Sequence, residues 1–137
     1  MPSPAEVTLW LHLGASIGAR RWREQDGELL PLDEVHEHNI LYSSDALLSV
    51  VSEVFDRVPS LQILSAKGLG QQQSELATII ATGYRAFGLV GSHHFFHTPQ
   101  DTPVVTSAEL LAPYGDALRR LVDQVSVRDA GAGEKAR

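Results

Sequence analysis

The sequence predicts an α/β fold, a sheet with helices packed on it in a three-layer arrangement. Three observations point there. Short apolar runs alternate with longer amphipathic stretches along the chain. Their order reads β, β, α, β, α, β, loop, α, as expected of strands connected through helices. The length, 137 residues at 43% hydrophobic and 20% charged, suits one ordinary globular domain. We place that domain over residues 1–128. Residues 129–137 carry no large apolar side chain and read as a flexible C-terminal tail.

The elements follow in order. "EVTLWLHLG" (6–14) is apolar and reads as a buried strand. "ASIGARRW" reads as a turn region, and the polar 23–37, with Gly27 and Pro31, as loop. "NILYS" (39–43) is a short strand. Ser43 or Ser44 can cap a helix whose Leu47, Val51, Val54 and Val58 recur at helical spacing, with Leu48 and Phe55 beside them, and Pro59 ends it. "LQILS" (61–65) is a strand, and "GLG" (68–70) turns into a helix that buries Leu76, Ile79 and Ile80 and stops at Gly83. "AFGLVGS" (86–92) is a buried strand. Thr106 with Glu109 forms a capping box for a closing helix that buries Leu110, Tyr114, Leu118, Leu121 and Val125. Pro113 removes one helix hydrogen bond, which predicts a kink or a break into two helices.

Charge and composition exclude several function classes. The net charge is −6, and a nucleic-acid or anionic-membrane surface needs a basic patch. The one basic cluster, "ARRWRE" (19–24), reads as a solvated turn. With no cysteine, thiolate metal sites, disulfides and cysteine nucleophiles are out, so any metal site must use histidines and carboxylates. No apolar run approaches the roughly 20 residues that span a bilayer. "MPSPAEV" lacks the basic and apolar regions of a signal peptide, and a cytoplasmic location is the default expectation.

The chemistry-bearing stretch is "GSHHFFHTPQDTP" (91–103), which holds three of the six histidines, His93, His94 and His97. It follows the carboxyl end of a predicted strand, where ligands bind in α/β sheets. Neutral imidazole is a common metal ligand, and Pro99 and Pro103 would stiffen the loop around Asp101. Asp101 is placed to hydrogen-bond the second nitrogen of a ligating histidine. On the residues alone, half-exposed loop histidines and a turn-capping Asp101 are the competing account. His12 near a strand end, and His36 and His38 in "EVHEHNI", are further imidazoles for which hydrogen-bonded or solvated edge roles compete with metal binding. "GLG" before a helix is a weak anion-cradle signal beside a plain turn.

"YRAFGLVGSHHFFHTPQDTPVVTSAELLAPYGDALRRLV" resembles the closing segment of the co-catalytic zinc aminopeptidase superfamily, which includes aminopeptidases, glutamate carboxypeptidases and glutaminyl cyclases. That family follows a strand with a His-Thr-Pro-x-Asp-Thr loop and a final helix. Here His97, Thr98, Pro99, Asp101 and Thr102 match the loop. "LHLGASIGA" resembles the strand and turn opening the family's C-terminal half, and "YSSDALL" the start of a later helix. The resemblance implies the C-terminal half of the zinc-peptidase (phosphorylase/hydrolase-like) fold. It implies His97 as the last zinc ligand; the loop residues themselves add His93 and His94 as neighbouring metal candidates and Asp101 and Thr102 as supporting residues.

The departures from the family are equally specific. The His-x-Asp, bridging Asp and Glu-Glu ligands belong to an N-terminal half that this chain has no residues for. The second Asp would end the strand that "LWLHLG" resembles, where Gly14 stands. Active members often carry Ser-Asp-His where Leu69, Gly70 and Gln71 stand. A catalytic zinc takes three protein ligands and an open position. The resemblance therefore implies an aminopeptidase-like domain with no catalytic residues of its own, acting as a binding or assembly module. The alternative is a zinc-dependent peptidase or amidohydrolase completed by a partner chain, or by His93, His94 and His97 with a carboxylate. In the full fold the 6–14 strand lies inside the sheet, so self-association or a separate N-terminal-half partner is expected to cover it.

Overall fold

The computed structural model describes residues 2–14, 16–69 and 75–134, with the backbone alone for 127–134. Four strands form a mixed sheet: β1 (Trp10–Leu13), β4 (Asn39–Ser43), β5 (Leu61–Ser65) and β6 (Ala86–Gly91), in the spatial order β1-β6-β4-β5. β1 runs parallel to β6, β6 antiparallel to β4, and β4 parallel to β5. Three helices cover it: α1 (Asp45–Val54), α2 (Glu75–Ala81) and α3 (Ala108–Glu134).

Strand alternation sends successive side chains to opposite faces, and each face has its own core. On one face Leu41, Phe87 and Leu89 of the sheet meet Leu47, Val51 and Val54 of α1 and Tyr114, Ala117, Leu121 and Val125 of α3. On the other, Trp10, Tyr42 and Ala86 meet Leu76, Ile79 and Ile80 of α2. The result is an α/β sandwich of three layers. Tyr114 ties two of its elements together: its buried hydroxyl donates to Pro59 O at 2.9 Å.

β4 and β5 fall where the apolar runs place them. Ser44 holds the N-cap position of α1 without a side-chain capping bond, and its hydroxyl instead accepts from the Ala86 N–H at 3.2 Å. Gly83 stops α2 with φ +94°: Gly83 N–H donates to Ile80 O and Tyr84 N–H to Ile79 O, closing the last turn. Residues 70–74, part of the expected second helix and its Gly-rich start, lie outside the described residues.

Several expectations are corrected. The first strand is shorter than 6–14, because Pro4–Glu6 forms a 3-10 turn closed by the Ser3 and Glu6 side chains. The turn and loop expected over 19–37 are largely an antiparallel hairpin, β2 (Arg20–Gln25) and β3 (Glu28–Val35). Asp26 and Gly27, with φ of +53° and +80°, make its two-residue turn. Thr106 does not cap α3. Its hydroxyl donates to Pro103 O at 3.2 Å, and Ser107 instead engages the Glu109 carboxylate at 2.5 Å. α3 does not break at Pro113, because Leu110 ahead of it and Tyr114, Ala117 and Leu121 behind it pack into one core. The helix runs on to Glu134, and residues 135–137 of the expected tail lie outside the described residues.

Candidate functional site

β1 and β6 end, and β4 begins, at the same end of the sheet. The histidine loop leaves β6 there, beside the β3–β4 connection that carries His36 and His38. Ser92 N–H donates to His38 O at 3.2 Å, joining the two segments. Phe96 N–H to His93 O, Thr98 N–H to Phe95 O and Asp101 N–H to Thr98 O then wind the loop into consecutive turns. The hairpin buttresses it: Trp22 meets Phe95 edge to face, with ring centroids 4.8 Å apart.

The three loop imidazoles take different roles. His93 is buried, and its Nδ1 accepts the Phe95 N–H at 3.2 Å. Its Nε2 lies 3.3 Å from Asp101 Oδ1. An accepting Nδ1 puts the proton of the neutral ring on Nε2, facing the carboxylate. Both nitrogens are thus engaged inside the loop. His94 is exposed and meets the Phe95 ring at 5.6 Å. His97 is exposed, adopts a left-handed backbone with φ +61°, and stacks on Phe96 with centroids 4.0 Å apart. Asp101 thus faces His93 rather than the motif histidine. Thr102 is exposed, and its carbonyl accepts the Val105 N–H at the turn into Pro103–Val105.

The strand pairing adds His36 and His38, whose rings stand 5.1 Å apart; His38 N–H donates to His36 Nδ1 at 3.3 Å. His36 is held below the ordinary imidazole range, first by burial and then by His38; Glu37 opposes this, and His93 and His94 add to it. Beneath them Asn39 is 2% exposed; its amide donates to His36 O at 2.5 Å, and its Oδ1 has no hydrogen-bond partner. Gly91 passes so close that an added Cβ would stand 2.6 Å from Ser16 O and 2.7 Å from Asn39 Oδ1.

Among the described residues no three histidine or carboxylate side chains converge as a metal cage. Gly14, at the end of β1, has no side-chain ligand to offer, and its N–H donates to Leu89 O at 2.7 Å. Asp45 lies at the opposite end of the sheet, paired with Lys67 and accepting from Ser65 at 2.9 Å, and Asp26 sits in the hairpin turn. His12 points to the α2 face, its Nδ1 3.8 Å from Glu75 Oε2, beside a cavity of about 240 Å³ lined by Tyr42, Leu76 and Gly88. A cavity of about 650 Å³ lies between α1 and α3, away from the loop.

Sequence reasoning missed Trp22 as the support of the loop and Asn39 as its buried floor. The hairpin turn signal Asp26-Gly27 was present for the first. The second required the antiparallel β4–β6 pairing, which no local pattern encodes. Comparison with family models, with curated proteins and with solved structures gave no match.

Proposed function

We propose that this chain is an aminopeptidase-like α/β module that holds no self-contained zinc centre and acts by assembly with another chain. One observation carries this: β1, the strand that the resemblance puts inside a larger sheet, stands at the sheet edge with Leu11 and Leu13 exposed. An apolar edge with unpaired backbone groups is a template for a further strand. The loop supports the same conclusion. Among the described residues no group of three histidines or carboxylates gathers around His97, while His93 Nδ1 accepts from the Phe95 N–H and its Nε2 faces Asp101. Metal-assisted hydrolysis needs a held ion with an open coordination position, and these side chains do not supply the cage.

The test is hydrolysis of aminoacyl-nitroanilide substrates by the purified chain with zinc added. The expected result is no rate above the protein-free control. Turnover that disappears in His97→Ala would overturn the proposal and establish a peptidase.

A further inference from the structure

The open edge of β1 has a defined chemistry. Trp10 N–H and Gly14 N–H both donate to β6, at 2.9 Å to Arg85 O and 2.7 Å to Leu89 O. In a parallel ladder alternate residues bond to the same neighbour, so the backbone groups of Leu11 and Leu13 point away from the sheet. Their side chains are 38% and 53% exposed. They project on the α1/α3 face, as Leu9 does, because Trp10 and His12 project toward α2.

α3 continues this surface. At about 100° per residue, Leu111, Gly115, Leu118 and Val122 form one stripe. It lies on the flank opposite Pro113, Asp116 and Arg120, which face Val54 at the end of α1 and Arg57 just beyond it across a cavity. α1 packs on β4 and β5, so the stripe lies on the flank of α3 turned away from α1. Leu111 and Val122 are 45% and 47% exposed, and a Cβ at Gly115 would meet nothing within 4 Å. An open strand edge and an apolar helix flank, exposed at Leu111 and Val122 while Leu118 packs partly on the core and the Gly18 backbone lies against Leu111, are therefore both open on the α1/α3 face of the sheet.

We propose that this surface binds a second copy of the chain about a two-fold axis perpendicular to the sheet. β1 pairs antiparallel with its mate, and the Leu111–Val122 stripe packs on its own copy. The inference rests on the assembly module described above and names its partner. Three features select a second copy. A two-fold interface must be self-complementary, and an antiparallel strand edge pairs with itself. Such an axis brings strand to strand and helix flank to helix flank together. The surface carries no charge: 7–14 has only His12, which faces α2, and the stripe has none. Two chains of net charge −6 thus meet without apposing like charges at the contact. Gly115 lets the two helices approach closely. A specific interface buries about 1,200–2,000 Å² in total, more than a four-residue strand supplies, so the helix stripe is required.

The experiment is sedimentation velocity of the full chain at micromolar concentration, beside Leu11→Lys and Val122→Glu, with circular dichroism to verify folding. The expected result is a species of twice the 14.9 kDa chain mass, with at least a tenfold weaker Kd in each folded variant. A folded wild-type monomer overturns the inference and leaves the edge to a chain of different sequence. A dimer unaffected by both substitutions places the contact elsewhere and overturns it too. Neither result touches the proposal that the chain lacks a zinc centre, which substrate hydrolysis and zinc stoichiometry test separately.

Discussion

His93 Nε2 stands 3.3 Å from Asp101 Oδ1, across the loop that holds three of the six histidines. With the Phe95 N–H on Nδ1, this makes His93 the fastener of the loop and leaves His97 outside it. The two histidines should therefore respond differently to substitution. His93→Ala removes a buried ring and the acceptor of the Phe95 N–H, a loss of about 1–3 kcal/mol. His97→Ala removes an exposed ring and should cost less than about 0.5 kcal/mol. His97→Gly, which relieves the left-handed backbone, should be neutral or stabilising by up to about 1 kcal/mol. Urea unfolding of the three variants checks the ranking, and equal losses at 93 and 97 would contradict it.

His36 predicts an acid-side weakness. Its folded value lies below the ordinary 6.5, so the folded chain binds this proton less readily than the unfolded chain. Its contribution to stability is complete above the unfolded value and is lost as pH falls from about 6.5 toward the lowered folded value. His36→Gln keeps an acceptor near the His38 N–H and does not titrate. Unfolding curves at pH 7.5 and pH 5.5 should converge for the variant relative to wild type; an unchanged difference would show that His36 is not responsible.

Gly91 leaves no room for a side chain at the end of β6. A Cβ there would meet a backbone oxygen at 2.6 Å and the orphaned Asn39 Oδ1 at 2.7 Å. Gly91→Ala should cost about 1–3 kcal/mol by overpacking. Gly27→Ala, with open space but φ +80°, should cost about 1 kcal/mol through backbone conformation alone. Thermal unfolding of both checks the order, which a larger loss at Gly27 would reverse.

Tyr114→Phe removes the hydroxyl that reaches Pro59 O and keeps the buried ring. The loss should be about 1 kcal/mol, from one hydrogen bond. Burial pushes the Tyr114 hydroxyl up to about 12, so spectrophotometric titration should show one late-ionising tyrosine that the variant lacks. A variant with an unchanged titration curve would contradict this.

What the sequence reveals of the fold is set by burial. β4 and β5 and the faces of α1 and α3 are legible because Leu41, Val51 and Leu121 sit fully inside one core and impose their period. The hairpin is illegible by that route: "RRWREQ" and "ELLPLDEV" are mostly exposed, so no apolar alternation marks them, and Pro31 argues against a strand. Its Asp26-Gly27 turn was the one available signal. Pro113 misleads in the other direction, since tertiary packing on both sides of it outweighs one missing hydrogen bond. The histidine loop is visible as a motif, but the partner of Asp101 depends on turns that spacing does not fix. The convergence of His36 and His38 on that loop depends on strand order.

We propose the loop as a folded element and not a metal centre, and zinc stoichiometry tests this most directly. Elemental analysis of the purified chain after zinc loading and gel filtration, beside His97→Ala, should give no zinc above background in either protein. One or two zinc ions per chain, lost with His97, would contradict the account and make the loop a working metal site.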